Sequence, residues 1–155
     1  MATPAASMND QSPAAPLELS DSTRGLVLSL AEAGSFLPGR ADLTVDAKRV
    51  MRTMADTIRE LPNPIRVEGH TDDVPIHGPL FASNWELSTA RATRVVQFLI
   101  EECGVDPMRL SAAGYAEFRP RMANDTAEAR ARNRRVDLVF LDAAAAVQEP
   151  VTIQP

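Results

Sequence analysis

The period of the hydrophobic positions changes several times along the chain, and each change marks an element. In residues 24–31, Leu26, Leu28 and Leu30 alternate with their neighbours, which predicts a strand with one face inward. Pro38-Gly39 makes residues 35–42 a loop. Ala47, Val50, Met51, Met54, Ile58 and Leu61 then recur at helical spacing, behind a capping Thr44 and ahead of Pro62 and Pro64. Ile65 and Val67 point inward from a second strand over 65–69. Pro75, Gly78 and Pro79 make 72–82 a loop. Ser83 and Glu86 form a capping box that opens a long helix, and Gly104 ends it. Residues 109–117 read as a third strand, 124–134 as a short helix and 135–141 as the last strand.

The expected order is β-α-β-α-β-α-β, an α/β arrangement (α+β sandwich) with a mixed four-stranded sheet. The strands are few and alternate, so the helices are expected on one face; a doubly wound sheet would need longer apolar runs. Residues 1–19 are expected to be a disordered linker, since Pro4, Pro13 and Pro16 stand there among small and polar residues. Residues 20–142 form the domain, and 143–155 a disordered tail.

Placing the long helix at 100° per residue puts Leu87, Ala92, Val95, Phe98 and Leu99 on one arc, with Arg91 inside it. A guanidinium keeps its charge in a protein, so one on an apolar face needs a partner. Its stem is expected to pack on the core and its head to emerge at the positive end of the helix. That partner is either a neighbouring carboxylate or the carboxylate of a ligand held bidentately; the spacing leaves both open. Asp72 and Asp73 stand just past a strand end, where α/β folds commonly hold ligands. The role of turn former suits Asp73 better than Asp72. Trp85, in the first turn of the helix, reads as a packing anchor. Among the arginines between 119 and 135, Arg134 stands out, because it sits where helix gives way to strand.

Composition removes several functions. The net charge of -5 and the lack of interleaved aromatics argue against a nucleic-acid binder. One cysteine, Cys103, permits no internal disulfide, and its place at a helix end suggests a buried thiol. His70 and His77 match no strong zinc spacing, so neither metal nor cofactor is expected. His70 with Asp72 could be imagined as an acid/base pair for hydrolysis, but no activated nucleophile accompanies them. No apolar run approaches the roughly 20 residues that span a bilayer, and no signal peptide is visible. Either a cytosolic protein or a soluble piece of something longer would fit.

Thr71-Asp72, Asn84, Leu87-Ser88, Arg91-Ala92, Gly114 and Asn133-Arg134-Arg135-Val136 together resemble the OmpA-like peptidoglycan-binding domain over about residues 24–141. The longer loop, with Asp72-Asp73-Val74-Pro75-Ile76 before Ser83-Asn84-Trp85-Glu86-Leu87-Ser88, is similar to periplasmic domains of flagellar stator proteins of the MotB type. It is less like the OmpA and Pal branch, whose loop is shorter. The resemblance implies a non-catalytic, periplasmic anchor for the diaminopimelate of the stem peptide. Asp72 would take the ligand's ammonium and Arg91 its carboxylate, with Thr71, Asn84 and Arg134 near the same pocket. It also implies a homodimer, held in the full-length form at the inner membrane. A MotA-type stator subunit would be reached only through a membrane segment that these residues do not contain. An anchor without a motor role and a cell-wall hydrolase are the rival readings. One departure stands out: Leu37 occupies a position where the family usually has an acid.

Overall fold

The computed structural model describes residues 17–76 and 78–147. Its sheet has five strands, one more than the pattern predicts. The addition is β1 (Leu17–Ser22), which pairs antiparallel with β2 (Gly25–Ala31) through a tight Thr23-Arg24 turn. Leu17, Glu18 and Leu19 therefore belong to the sheet and not to a linker. Their alternation is too short to register, and what fixes the strand is the turn. Gly25 sits at φ 137°, and a Cβ there would lie 2.1 Å from the Phe140 carbonyl oxygen. Only glycine allows the hairpin to close against the sheet. The rest of the linker, residues 1–16, lies outside the described residues, as do 148–155 of the tail. Residues Ala143–Ala146 of that tail form a short helix.

After β2 come α1 (Val45–Thr53), α2 (Ala55–Glu60), β3 (Ile65–His70), α3 (Asn84–Glu101), β4 (Leu110–Gly114), α4 (Ala127–Asn133), β5 (Arg135–Leu141) and α5 (Ala143–Ala146). The single helix expected up to Pro62 is two, because the Met54 N–H bonds Met51 O at 3.1 Å, three residues back, with Met54 at φ -98° and ψ 0°. Thr44, Ser83 and Thr126 each accept a backbone N–H at a helix start, satisfying donors that a helix terminus leaves open. Gly104, at φ 69°, ends α3.

The strand order is β1-β2-β5-β3-β4, antiparallel except for the parallel pair β3 and β4 that α3 connects. Register separates the two faces. Leu28, Leu30, Val136, Leu138, Ile65 and Val67 share one face and build the main core with Ala47, Met51, Ile58, Val95, Phe98 and Leu99 from the helices. Helices α1, α2 and α3 thus lie on one face, as expected. On the other, Ala145 and Ala146 of α5 pack against Val27, Val139 and Leu141. Cys103 is buried in the core, and burial pushes its thiol pKa up. Among the described residues no helix is long and apolar enough to cross a membrane.

The early turns of α3 sit directly on two glycines of the sheet. Gly69 and Gly114 are register partners in β3 and β4. A Cβ on Gly69 would come 2.1 Å from Ser88 O, and one on Gly114 would come 2.2 Å from Thr89 Oγ1 and 2.5 Å from Thr89 N. At Gly69 the obstacle is backbone alone, so nothing flexible can yield. We expect Gly69→Ala to destabilise the domain by about 3 kcal/mol, at the upper end of the overpacking range, read as the shift of a urea-unfolding midpoint at unchanged slope.

Candidate functional site

The C-terminal ends of β2 and β3 and the N-terminal end of β5 lie at the same end of the sheet, where α3 begins. Each contributes a charge. Glu32 follows β2, Asp72 follows β3, Arg134 precedes β5, and Arg91 comes from the third turn of α3. Around them is a cavity of about 400 Å³, whose lining includes Glu32, Pro38, Gly39, Thr71, Asp72, Asn84, Leu87, Arg91, Arg130 and Arg134. All five residues singled out in the sequence line it.

Their contacts form a chain of alternating charge. Arg91 Nη1 donates to Glu32 Oε2 at 2.9 Å, Arg134 Nε donates to Glu32 Oε1 at 2.8 Å, and Arg134 Nη1 donates to Asp72 Oδ2 at 2.8 Å. Arg91 also donates through Nε to Arg40 O (2.7 Å) and through Nη2 to Leu37 O (3.1 Å), and its guanidinium lies 4.7 Å from the centre of the Phe36 ring. Its head does not emerge at the helix end as expected: Arg91 is only 2 % exposed. The loop after β2 folds over it, because its carbonyls and Glu32 supply the partners that water would otherwise give. Burial moves the Arg91 pKa down and Glu32 opposes that shift. At Arg134 burial also works against the charge, but the hydrogen bond to Asp72 and the field of Glu32 outweigh it, so its pKa rises.

Asp72 is set by its loop. Its Oδ1 accepts the Val74 N–H at 3.1 Å, so this carboxylate shapes the turn as well as meeting Arg134. The turn role assigned to Asp73 thus falls to Asp72, and Asp73 is exposed. Thr71 donates its N–H to Ala116 O (2.9 Å) and its hydroxyl to Asp72 O (2.8 Å). Asn84 donates to Val74 O at 3.1 Å. These two position the loop. The Leu37 side chain is 60 % exposed, and that residue enters the site only through its carbonyl. Sequence reasoning missed Glu32 and Arg130. Glu32 had a signal, a lone acid directly after an apolar strand; Arg130 had none beyond its place in a charged helix.

Trp85 does not anchor the core. It is 51 % exposed and stacks on Phe118, with ring centroids 5.4 Å apart. The imagined hydrolytic pair does not form either. His70 stacks on Tyr115 on the opposite face of the sheet, with Nε2 3.9 Å from Glu68 and 4.0 Å from Asp137, while Asp72 serves Arg134. His77 falls outside the described residues. Glu68, His70 and Asp137 are close enough to suggest a metal. However, both Glu68 oxygens receive Arg24, Arg66 approaches the same carboxylate at 3.2 Å, and Arg135 takes Asp137 at 3.0 Å. A divalent ion there would face three guanidiniums.

Comparison with known proteins agrees with this architecture. The OmpA family profile matches residues 35–134, and the chain belongs to that family. Over 117 residues it is 40 % identical to the uncharacterized protein YtxE of Bacillus subtilis (strain 168), covering 76 % of this chain and 48 % of that one. It is 34 % identical over 131 residues to Motility protein B of the same organism, covering 84 % and 50 %. The chain thus spans about half the length of these curated relatives. Among solved structures, the periplasmic domain of Helicobacter pylori MotB superposes with a TM-score of 0.74 at 32 % identity, over 85 % of each chain. The cell wall anchor of the T6SS from Pseudomonas aeruginosa gives 0.74 at 31 % identity, over 89 % and 94 %.

The buried network around His70 generates a pH prediction. Burial lowers the His70 pKa below its ordinary 6.5, so the unfolded chain takes the proton first as pH falls. Stability is full above about pH 6.5 and declines as pH drops below it. Burial alone would raise the Glu68 carboxyl, but His70 and Arg24 beside it hold its pKa at about 2, so its own contribution begins to fall only below about pH 4.5. We expect the urea midpoint to be lower at pH 5.5 than at 7.5, and His70→Gln to remove most of that difference.

Proposed function

We propose that this domain is a non-catalytic peptidoglycan anchor whose charged pocket holds the diaminopimelate of the stem peptide. The observation that carries the reading is Glu32, shared between Arg91 and Arg134, with Asp72 on the far side of Arg134 around one open cavity. The distal carbon of diaminopimelate bears an ammonium and a carboxylate. Asp72, with Glu32 behind it, suits the first; Arg134 and the two N–H groups that Arg91 has not committed suit the second. Glu32, Asp72, Arg91, Arg130 and Arg134 sum to about one positive charge, so a zwitterion with one further carboxylate is better matched than a simple cation. The domain's likeness to a solved cell wall anchor supports the same reading.

In the full-length protein this anchor would sit in the periplasm and fix a flagellar stator of the MotB type to the wall. The motility relative and the MotB periplasmic structure favour that role. The cell wall anchor of a secretion system favours the second reading, an envelope anchor without a motor. Deleting the gene should stop swimming while leaving flagella assembled; unimpaired swimming would select the second reading. Incubation with sacculi should release no muropeptides under either.

Arg91→Ala is a poor test of binding alone. It takes away one of the two guanidiniums on Glu32 and leaves two carbonyls without their donor in a buried setting, and should destabilise the fold by about 3–5 kcal/mol. Asp72→Asn and Arg134→Ala are better placed. Each should weaken sacculus binding by about 2–5 kcal/mol with the circular dichroism spectrum preserved, whereas Asp73→Asn should bind normally. Equal losses from Asp72→Asn and Asp73→Asn would remove Asp72 from the clamp.

A stem peptide carrying diaminopimelate should compete for sacculus binding at roughly millimolar concentration, as a small weak ligand does, and the same peptide carrying lysine in its place should not. A lysine residue in the peptide ends in an ammonium without a carboxylate and would leave buried donors unpaired where the carboxylate belongs. Equal competition by the two peptides would overturn the pocket assignment.

A further inference from the structure

Trp85 and Phe118 are stacked on each other with an interplanar angle of 24°, yet they remain 51 % and 60 % exposed. Two large rings left in water beside a binding cavity need an account, since such side chains are usually buried or used. They line a smaller cavity of about 190 Å³ with Pro75, Ile76, Ala82, Ser83, Asn84 and Glu117. Three of these, Pro75, Ile76 and Asn84, also line the charged pocket. One continuous surface therefore runs from the Arg134–Asp72 pair, past Ile76, to the aromatic pair.

We infer that this aromatic shelf is a saccharide subsite for an N-acetylhexosamine of the glycan strand whose stem peptide occupies the charged pocket. The inference rests on the peptidoglycan reading above. A pyranose ring presents a face of C–H groups that packs on an aromatic face, while its hydroxyl and acetamide groups point to the rim, where Ser83 and Glu117 stand. The surroundings disfavour other occupants. Among the described residues no lysine or arginine lines this cavity, so an anionic headgroup has no counter-charge. Two rings about half exposed offer roughly 200 Å² of apolar area, well short of the ~800 Å² per partner of a stable contact between copies.

Trp85 is the chain's one tryptophan, so its fluorescence reports on the shelf directly. Three probes separate the parts: a diaminopimelate stem tripeptide, the same peptide on its disaccharide, and the disaccharide alone. The sugar-bearing peptide should bind the 155-residue chain about five- to twentyfold more tightly than the bare peptide and should shift Trp85 emission, which the bare peptide should leave unchanged. Trp85→Ala and Phe118→Ala should each erase that increment while keeping bare-peptide affinity, and Trp85→Tyr should restore part of it. Equal affinity for the two peptides overturns the inference, as does an equal loss for both in the variants. A change in sedimentation of the unliganded chain on Trp85→Ala overturns it in favour of contact between copies. If the bare peptide does not bind but the sugar-bearing one does, in a Trp85-dependent way, the shelf stands and the clamp falls.

Discussion

The end of the sheet that carries the pocket is organised by one carboxylate. Glu32 neutralises a guanidinium that is nearly inaccessible to water and also reaches a second one. An isolated buried charge of that kind would cost several kcal/mol, so the loop after β2, the third turn of α3 and the junction of α4 with β5 must all meet at Glu32. Strand order delivers them there. β2 and β3 run the same way and β5 runs between them in the opposite sense, so two strand ends and one strand start converge. What looks in the sequence like a misplaced arginine is the point on which three separate segments are closed.

The alternative structural and ligand roles of Arg91 are thus not exclusive. Three of its donors are committed to the protein, which holds the guanidinium still, and two remain. A donor already ordered by its own fold loses little freedom when a ligand arrives. Arg134 is more exposed and is shared between Glu32 and Asp72, so it has the freedom to rearrange. The pocket combines a fixed arm and an adjustable one.

Much of this was legible in the sequence where a local rule operates. The stripes of α1, α2 and α3, the Ser83 cap and the Gly104 stop follow from neighbours within one or two turns, and the arc containing Arg91 follows from helix geometry. Arg91, Asp72 and Arg134 stood out by their positions, whereas Thr71, Asn84 and the ligand roles came from the motif. Long-range facts were hidden. β1 exists because Gly25 lets the chain turn under Phe140, more than a hundred positions away. Glu32 becomes part of the site only once β2 and α3 are side by side. Trp85 was read by its usual habit of burial, and the sequence holds no sign that its side of α3 lacks a neighbour. Leu37 seemed to be a missing acid, yet its side chain points outward, and the carboxylate next to Arg91 comes five residues earlier.

The bare seating of α3 on Gly69 and Gly114 has a mechanical consequence. Side-chain packing gives way by rotamer changes, but at Gly69 backbone rests on backbone, and no rotamer there can absorb a displacement. The helix that carries Arg91 and the strand that leads to Asp72 are joined through Gly69 and Ser88, so they move as one body. A tension applied to a molecule held in the pocket would pass through that contact into the sheet with little give.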